Sequence, residues 1–150
     1  MNKVVLLDSG PLGMVSNPMG SAETIECHRW LERIVSQGFP VLVPDIADYK
    51  VRRELLRAKR SKGIARLDLL KEALGYIPLT TPIMLQAAEF WAQARRLGRK
   101  TADDPSLDAD MILAAQATSL QNAEDEVFIA TTNPRHLELF AKARHWKDIP

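Results

Sequence analysis

Two acids stand at the margins of buried elements. Asp8 follows the apolar run Val4-Val5-Leu6-Leu7, and Asp110 precedes Met111-Ile112-Leu113-Ala114-Ala115 about a hundred residues later. A carboxylate set against apolar chain loses hydration and keeps its charge only when it is hydrogen-bonded or paired with a cation. A shared divalent metal is the economical partner, since magnesium-like cations take oxygen ligands and are held by one or two carboxylates plus substrate phosphates. Each acid also has a plainer role. Asp8-Ser9-Gly10-Pro11 is good turn chemistry, and Asp110 would favour the first turn of a helix through its dipole. Asp108 can join Asp110 at one metal only from a non-helical cap, because residues two apart on a helix point in very different directions. Asp103 and Asp104 read as solvated loop acids.

Cations cluster locally although the formal charge of the 150-residue chain is only +1. Lys50, Arg52, Arg53, Arg57, Lys59, Arg60, Lys62 and Arg66 crowd one helix and the turn after it, with a second group at Arg95, Arg96, Arg99 and Lys100. Such clusters suit a phosphate backbone, and Arg52, Arg53 and Arg57 are the candidate substrate contacts. A solvated helix face is the plainer reading of them, and a docking surface for an acidic partner segment a third. His28, His136 and His145 lack metal-ligand spacing and read as surface or capping residues. The single cysteine, Cys27, excludes an internal disulfide and a Cys-rich zinc site, and reads as an inert buried thiol. Trp30, Phe90 and Trp91 sit in amphipathic helices, as core or dimer-interface residues.

The elements that must position these residues alternate between strand and helix. Val4 to Leu7 reads as a buried first strand followed by a loop to Gly20, and Phe39 to Val43 as a second strand. Helices are expected over 21–37, from Pro44-Asp45 to about Arg60, over 63–74, and from Pro82 to about Leu97 with Thr81 as its cap. Ile77 to Thr80 suits a short edge strand. A polar loop from Gly98 to Ser106 leads into the Asp110 helix, and Glu126 to Thr131 is the last clear strand, before a short helix capped at Asn133-Pro134. This alternation predicts an α/β domain with a mostly parallel sheet, whose ligands sit beyond the carboxyl ends of the strands. At 46% hydrophobic residues the length suits one domain with a real core. No signal peptide is evident and no apolar run approaches the roughly 20 residues that span a bilayer, so a soluble, reduced, cytoplasmic protein is expected.

Asp8 after a first strand, an Asp leading into Met-Ile-Leu-Ala-Ala-Gln-Ala, Ile129-Ala130-Thr131-Thr132-Asn133 at a late strand end, and Trp146 near the C-terminus together resemble the PIN domain family, in particular its VapC-like toxins. The resemblance covers essentially the whole chain. It implies a three-layer α/β/α sandwich, magnesium or manganese as cofactor, RNA cleavage, a homodimer and a cognate antitoxin. The family acids fall on Asp8 and Asp110, and a fourth position falls on Asn133, which offers an amide oxygen or caps a helix. The second, a family Glu, lands near Lys50, whose charge would repel a metal, or on Glu54 one turn later. Glu54 is therefore the third candidate for catalysis, and Asp108 an auxiliary metal ligand. The function implied is metal-dependent phosphodiester hydrolysis of RNA. The alternative is a module of the same fold that binds RNA or protein without cutting, favoured by Lys50 and Asn133. A receiver domain ranks below both because Tyr76 to Thr81 offers no Asp to accept a phosphoryl group, and a dehalogenase-like hydrolase because Gly10 stands where its second acid would be needed.

Overall fold

The computed structural model describes residues 2–98 and 104–150, with side chains from 106 onward in the second segment. Five strands form one sheet: β1 (Asn2–Leu7), β2 (Val41–Pro44), β3 (Tyr76–Ile77), β4 (Asp125–Thr131) and β5 (Lys142–His145). Their order is β3-β2-β1-β4-β5 and every pairing is parallel. Among the described residues six helices accompany them: α1 (Ser9–Ser16), α2 (Ala22–Ser36), α3 (Asp45–Arg57), α4 (Ser61–Leu74), α5 (Thr81–Arg96) and α6 (Asp104–Leu120). Single 3-10 turns at Leu137–Leu139 and Trp146–Asp148 flank β5.

Side-chain alternation along β1 explains the three layers. Leu6 packs with Ile83, Phe90 and Met111 of α5 and α6, whereas Val5 and Leu7 pack with Leu12, Trp30 and Leu67 of α1, α2 and α4. Both faces of the sheet are thus covered, so the inner strands β1, β2 and β4 carry continuous apolar runs. Each such fully buried side chain contributes on the order of 1.5–3 kcal/mol through burial alone. The expected three-layer α/β/α sandwich is present. Trp30 donates its indole N–H to the carbonyl of Ile149 at 2.8 Å, tying the C-terminus to α2, and Phe90 stacks on Phe140 with ring centroids 4.3 Å apart.

Several boundaries differ from the sequence reading for identifiable reasons. The loop expected after Asp8 is helix α1, because Asp8 is its N-cap and Pro11 sits in the first turn, where its missing N–H costs nothing. Helix α3 stops at Arg57, and Lys59 takes a left-handed conformation (φ 55°) before α4. Thr80, rather than Thr81, caps α5, its hydroxyl accepting from the Ile83 N–H. Helix α6 begins at Asp104, so Asp110 lies in its second turn instead of opening it. Asn133 caps no helix, since only a 3-10 turn follows. Strand β5 was not anticipated: Lys-Ala-Arg-His buries only Ala143 and carries almost no apolar signal. Arg99, Lys100 and Asp103 lie outside the described residues.

Candidate functional site

The sheet order places a topological switch point between β1 and β4, since the chain builds outward from β1 to one side and adds β4 and β5 on the other. Ligands of open parallel sheets bind in the crevice beyond the strand ends at this point. Asp8 directly follows β1 and Thr131 ends β4, the two strands that flank it. The Asp8 backbone N–H donates to Ala130 O at 2.9 Å, closing the register at the rim.

Both carboxylate oxygens of Asp8 are fixed. Oδ1 accepts from the Ser9 backbone N–H at 2.7 Å, as an N-cap does, and Oδ2 accepts from the fully buried Thr131 hydroxyl at 2.7 Å. That hydroxyl in turn accepts from the Asn133 N–H at 3.0 Å. Asn133 therefore enters the site through its backbone, one step removed from Asp8. Gly10 permits the close approach: a Cβ there would lie 2.8 Å from both Cγ2 and Oγ1 of Thr132, on the loop after β4.

Asp110 reaches the same crevice from α6. Burial first, and then the charge of Asp8, push its carboxyl above the usual carboxylate range, while His136 and Lys50 pull it back. The two acids separated by a hundred residues thus share one electrostatic environment. His136 Nδ1 lies 3.3 Å from Asp110 Oδ2, with side chains only 12% and 22% exposed respectively. His136, expected at the surface, is instead a partner of the acid pair. Nothing in its spacing announced this; its position after the end of β4 was the available signal. Thr131 was likewise missed, although a hydroxyl residue ending a buried strand beside an acid is a reasonable clue.

The remaining candidates fall elsewhere. Asp108 lies within α6 rather than at a cap, about 200° around the helix from Asp110, and is exposed beside Trp91 and Met111. It also lines a cleft with Lys50 and Arg53, and does not stand at the non-helical cap from which it was expected to join Asp110. Glu54 pairs with Arg57 at 2.7 Å on an exposed face, its side chain 58% accessible, so the reach into the acid pair expected of it is not made. Arg52 is bound to Asp48 at 3.0 Å and Asp68 at 2.7 Å, and these hydrogen bonds hold its guanidinium even more firmly protonated than usual. It braces α3 against α4 instead of facing substrate. Arg66 is similarly committed, donating to Val15 O at 2.7 Å and to His28 Nδ1 at 3.1 Å. Arg53 and Arg57 remain on the exposed face of α3.

The donor set fits a hydrated hard cation held by two carboxylates. It does not fit an all-protein cage: among the described residues, no three His, Cys, Asp or Glu side chains gather as a metal-ligand group. Lys50 already supplies positive charge to the pair, and His136 a ring nitrogen 3.3 Å from Asp110.

Fold and site together define an α/β/α domain with an acid pair at the switch point of a parallel sheet. The domain is similar to chains of three solved structures: FitAcB from Neisseria gonorrhoeae (TM-score 0.69, 16% identity, covering 97% of this chain and 100% of that one), VapBC2 from Rickettsia felis bound to a DNA fragment from their promoter (0.69, 12%, 95% and 98%), and VapBC-1 from nontypeable Haemophilus influenzae (0.69, 15%, 97% and 99%). No family model matches the chain, and no curated protein does. The membership expected from the motifs is thereby corrected. The likenesses lead to chains of FitAcB, VapBC2 and VapBC-1, at identities that establish a shared fold, and do not place this chain among PIN-domain, VapC-like toxins. No helix among the described residues is long and apolar enough to cross a membrane.

Proposed function

We propose that this protein is a metal-dependent endoribonuclease working within a toxin–antitoxin pair, with magnesium or manganese held by Asp8 and Asp110. The observation that carries the reading is that Asp8, at the β1–β4 switch point, acts electrostatically on Asp110, whose carboxyl burial and this charge together raise. The toxin–antitoxin role is supported by likeness in fold to chains of the FitAcB, VapBC2 and VapBC-1 structures. It brings a cognate protein partner with it. The homodimer expected from sequence is proposed on the exposed Met84 and Leu85 of α5, and light scattering showing a monomer at micromolar concentration would remove it.

When bound, the cation supplies positive charge to the scissile phosphate and a water that is readily deprotonated near neutral pH. The chain's own residues do the rest by positioning. Thr131 and the Ser9 N–H hold both Asp8 oxygens, so that carboxylate cannot rotate away. His136 orients Asp110 from the other side. Lys50 brings an ammonium to the same field, where it can neutralise charge on a phosphate oxygen. Cleavage of a mixed structured RNA pool tests the reading directly: activity is expected with manganese, lost in chelator, and lost in Asp8→Asn and Asp110→Asn. Cleavage that persisted unchanged in both variants would remove the site.

A second reading is favoured by one observation, the charge of Lys50 acting on Asp110. A resident ammonium opposes metal entry, and a domain that binds RNA or a partner protein without cutting follows. No cleavage by the unmutated protein in any metal would promote it.

A further inference from the structure

A cleft of about 490 Å³ opens on Ser9 and Gly10, directly after Asp8, and runs between α1 and α3. Its floor is Gly13, Val51 and Leu55; its rim carries Lys50, Arg53 and Arg57. Through Gly13, Leu55 and Arg60 it continues into a second cleft of about 490 Å³, where Lys59 and Lys62 of the α3–α4 turn face Met19 across an apolar floor. Lys50, Arg53 and Arg57 recur at helical spacing on one face of α3, over roughly 10 Å of helix at 1.5 Å per residue.

We infer that this groove is a track for one single strand of RNA leading away from the Asp8–Asp110 pair, its phosphates on the cationic rim and its bases or riboses on the apolar floor. The assignment rests on the nuclease reading for its polarity toward the acids, and on the groove alone for binding. Three features select this occupant. The groove begins at Ser9, whose N–H holds Asp8, and at Lys50, whose charge acts on Asp110, as the mouth of a substrate track would and a remote docking site need not. A single strand exposes apolar base faces that a duplex keeps stacked inside, and the floor offers them a dry surface. Arg53, Lys59, Arg60 and Lys62 are exposed, and Arg57 is exposed although bound to Glu54, whereas Arg52 and Arg66 are turned to partners within the fold. Glu54 is the one acid on the rim, and it pairs with Arg57.

Fluorescence anisotropy with a labelled twelve-nucleotide oligouridylate in chelator tests the groove without cleavage. Arg53→Ala/Arg57→Ala/Arg60→Ala is expected to bind on the order of tenfold more weakly, with the slope of log K against log salt reduced by about 2, since each single-strand phosphate contact contributes about 0.7. The corresponding triple lysine variant is expected to keep most of the affinity, and Arg29→Ala/Arg33→Ala on α2 all of it, with circular dichroism confirming the fold of each. Glu54→Ala, which releases Arg57, is expected to bind more tightly. Unchanged binding by the triple alanine variant overturns the track, as does equal affinity for a duplex of the same length. Displacement by oligoglutamate at lower concentration than by unlabelled oligouridylate gives the groove to an acidic protein segment instead and also overturns it. A strand bound in chelator but left uncut with manganese sinks the nuclease reading while the track stands.

Discussion

At the scale of single residues, the site is a hydrogen-bonded relay around one carboxylate and a charge balance around the other. Thr131 is the junction, donating to Asp8 Oδ2 while accepting from the Asn133 N–H. Thr131→Val would leave both partners unsatisfied in a buried place, so a loss of about 1–3 kcal/mol in urea denaturation is expected, together with weakened cleavage. An unchanged midpoint would mean that water replaces the hydroxyl. Asp110 presents the opposite sign. Because burial and Asp8 penalise its charged form, Asp110→Asn is expected to melt higher than the unmutated protein in chelator at neutral pH while losing activity. The residue types of this relay were legible only in part. Asp8 and Asp110 announce themselves by standing against apolar runs. His136 and Thr131 do not, because their roles come from the three-dimensional meeting of the β4 end with α6. Glu54 and Arg52 misled for a related reason: a side chain's charge is visible in sequence, but the ion pair that consumes it is not.

At the scale of elements, the short helix α1 sets the geometry of the crevice. Its sequence, Ser-Gly-Pro-Leu-Gly-Met-Val-Ser, looks like a turn, and a cap followed by a first-turn proline is hard to tell from a turn without knowing what the chain packs against. Gly10 records that packing, since a Cβ there would meet Thr132 at 2.8 Å. Gly10→Ala is therefore expected to cost about 1–3 kcal/mol by forcing α1 from the end of β4. Adding Thr132→Ala, which removes both clashing atoms, should recover most of that loss, and a double-mutant cycle without coupling would show that α1 adapts by itself. Helix α2 carries a second readout. Burial pushes the Cys27 thiol up to about 12 from an ordinary 9.0. A thiol that ionises later when folded than when unfolded contributes stability below pH 9 that is lost as pH rises toward 12. The unmutated protein should therefore lose up to about 4 kcal/mol more than Cys27→Ala over that interval, at 1.36 kcal/mol per pKa unit. Parallel alkaline melting curves for the two proteins would contradict this. Long amphipathic helices such as α2 and α5 were legible within a residue or two because their stripes repeat over several turns, whereas the edge strand β5, with one inward residue, offers no such repetition.

At the scale of the whole molecule, a nearly neutral chain separates its charges: Asp8 at the switch point acts on the half-buried Asp110 while cations line the groove between α1 and α3. The decisive question at this scale is whether the acid pair is completed by a cation from solution or by Lys50 and His136 alone. Linkage separates the two. A ligand that binds only the folded state stabilises it by RT ln(1 + [L]/Kd), about 2.7 kcal/mol at a hundredfold excess over Kd. For a domain of 150 residues each kcal/mol moves the melting temperature by roughly 2–4 °C. Millimolar manganese is thus expected to raise the midpoint by about 5–10 °C if the site binds it in the ten-micromolar range. The increment should vanish in Asp8→Asn/Asp110→Asn and grow in Lys50→Ala, where the competing ammonium is gone. A midpoint that ignores manganese in the unmutated protein but responds in Lys50→Ala would identify Lys50 as the occupant of the cation's place, and the domain as one that holds RNA without cutting it.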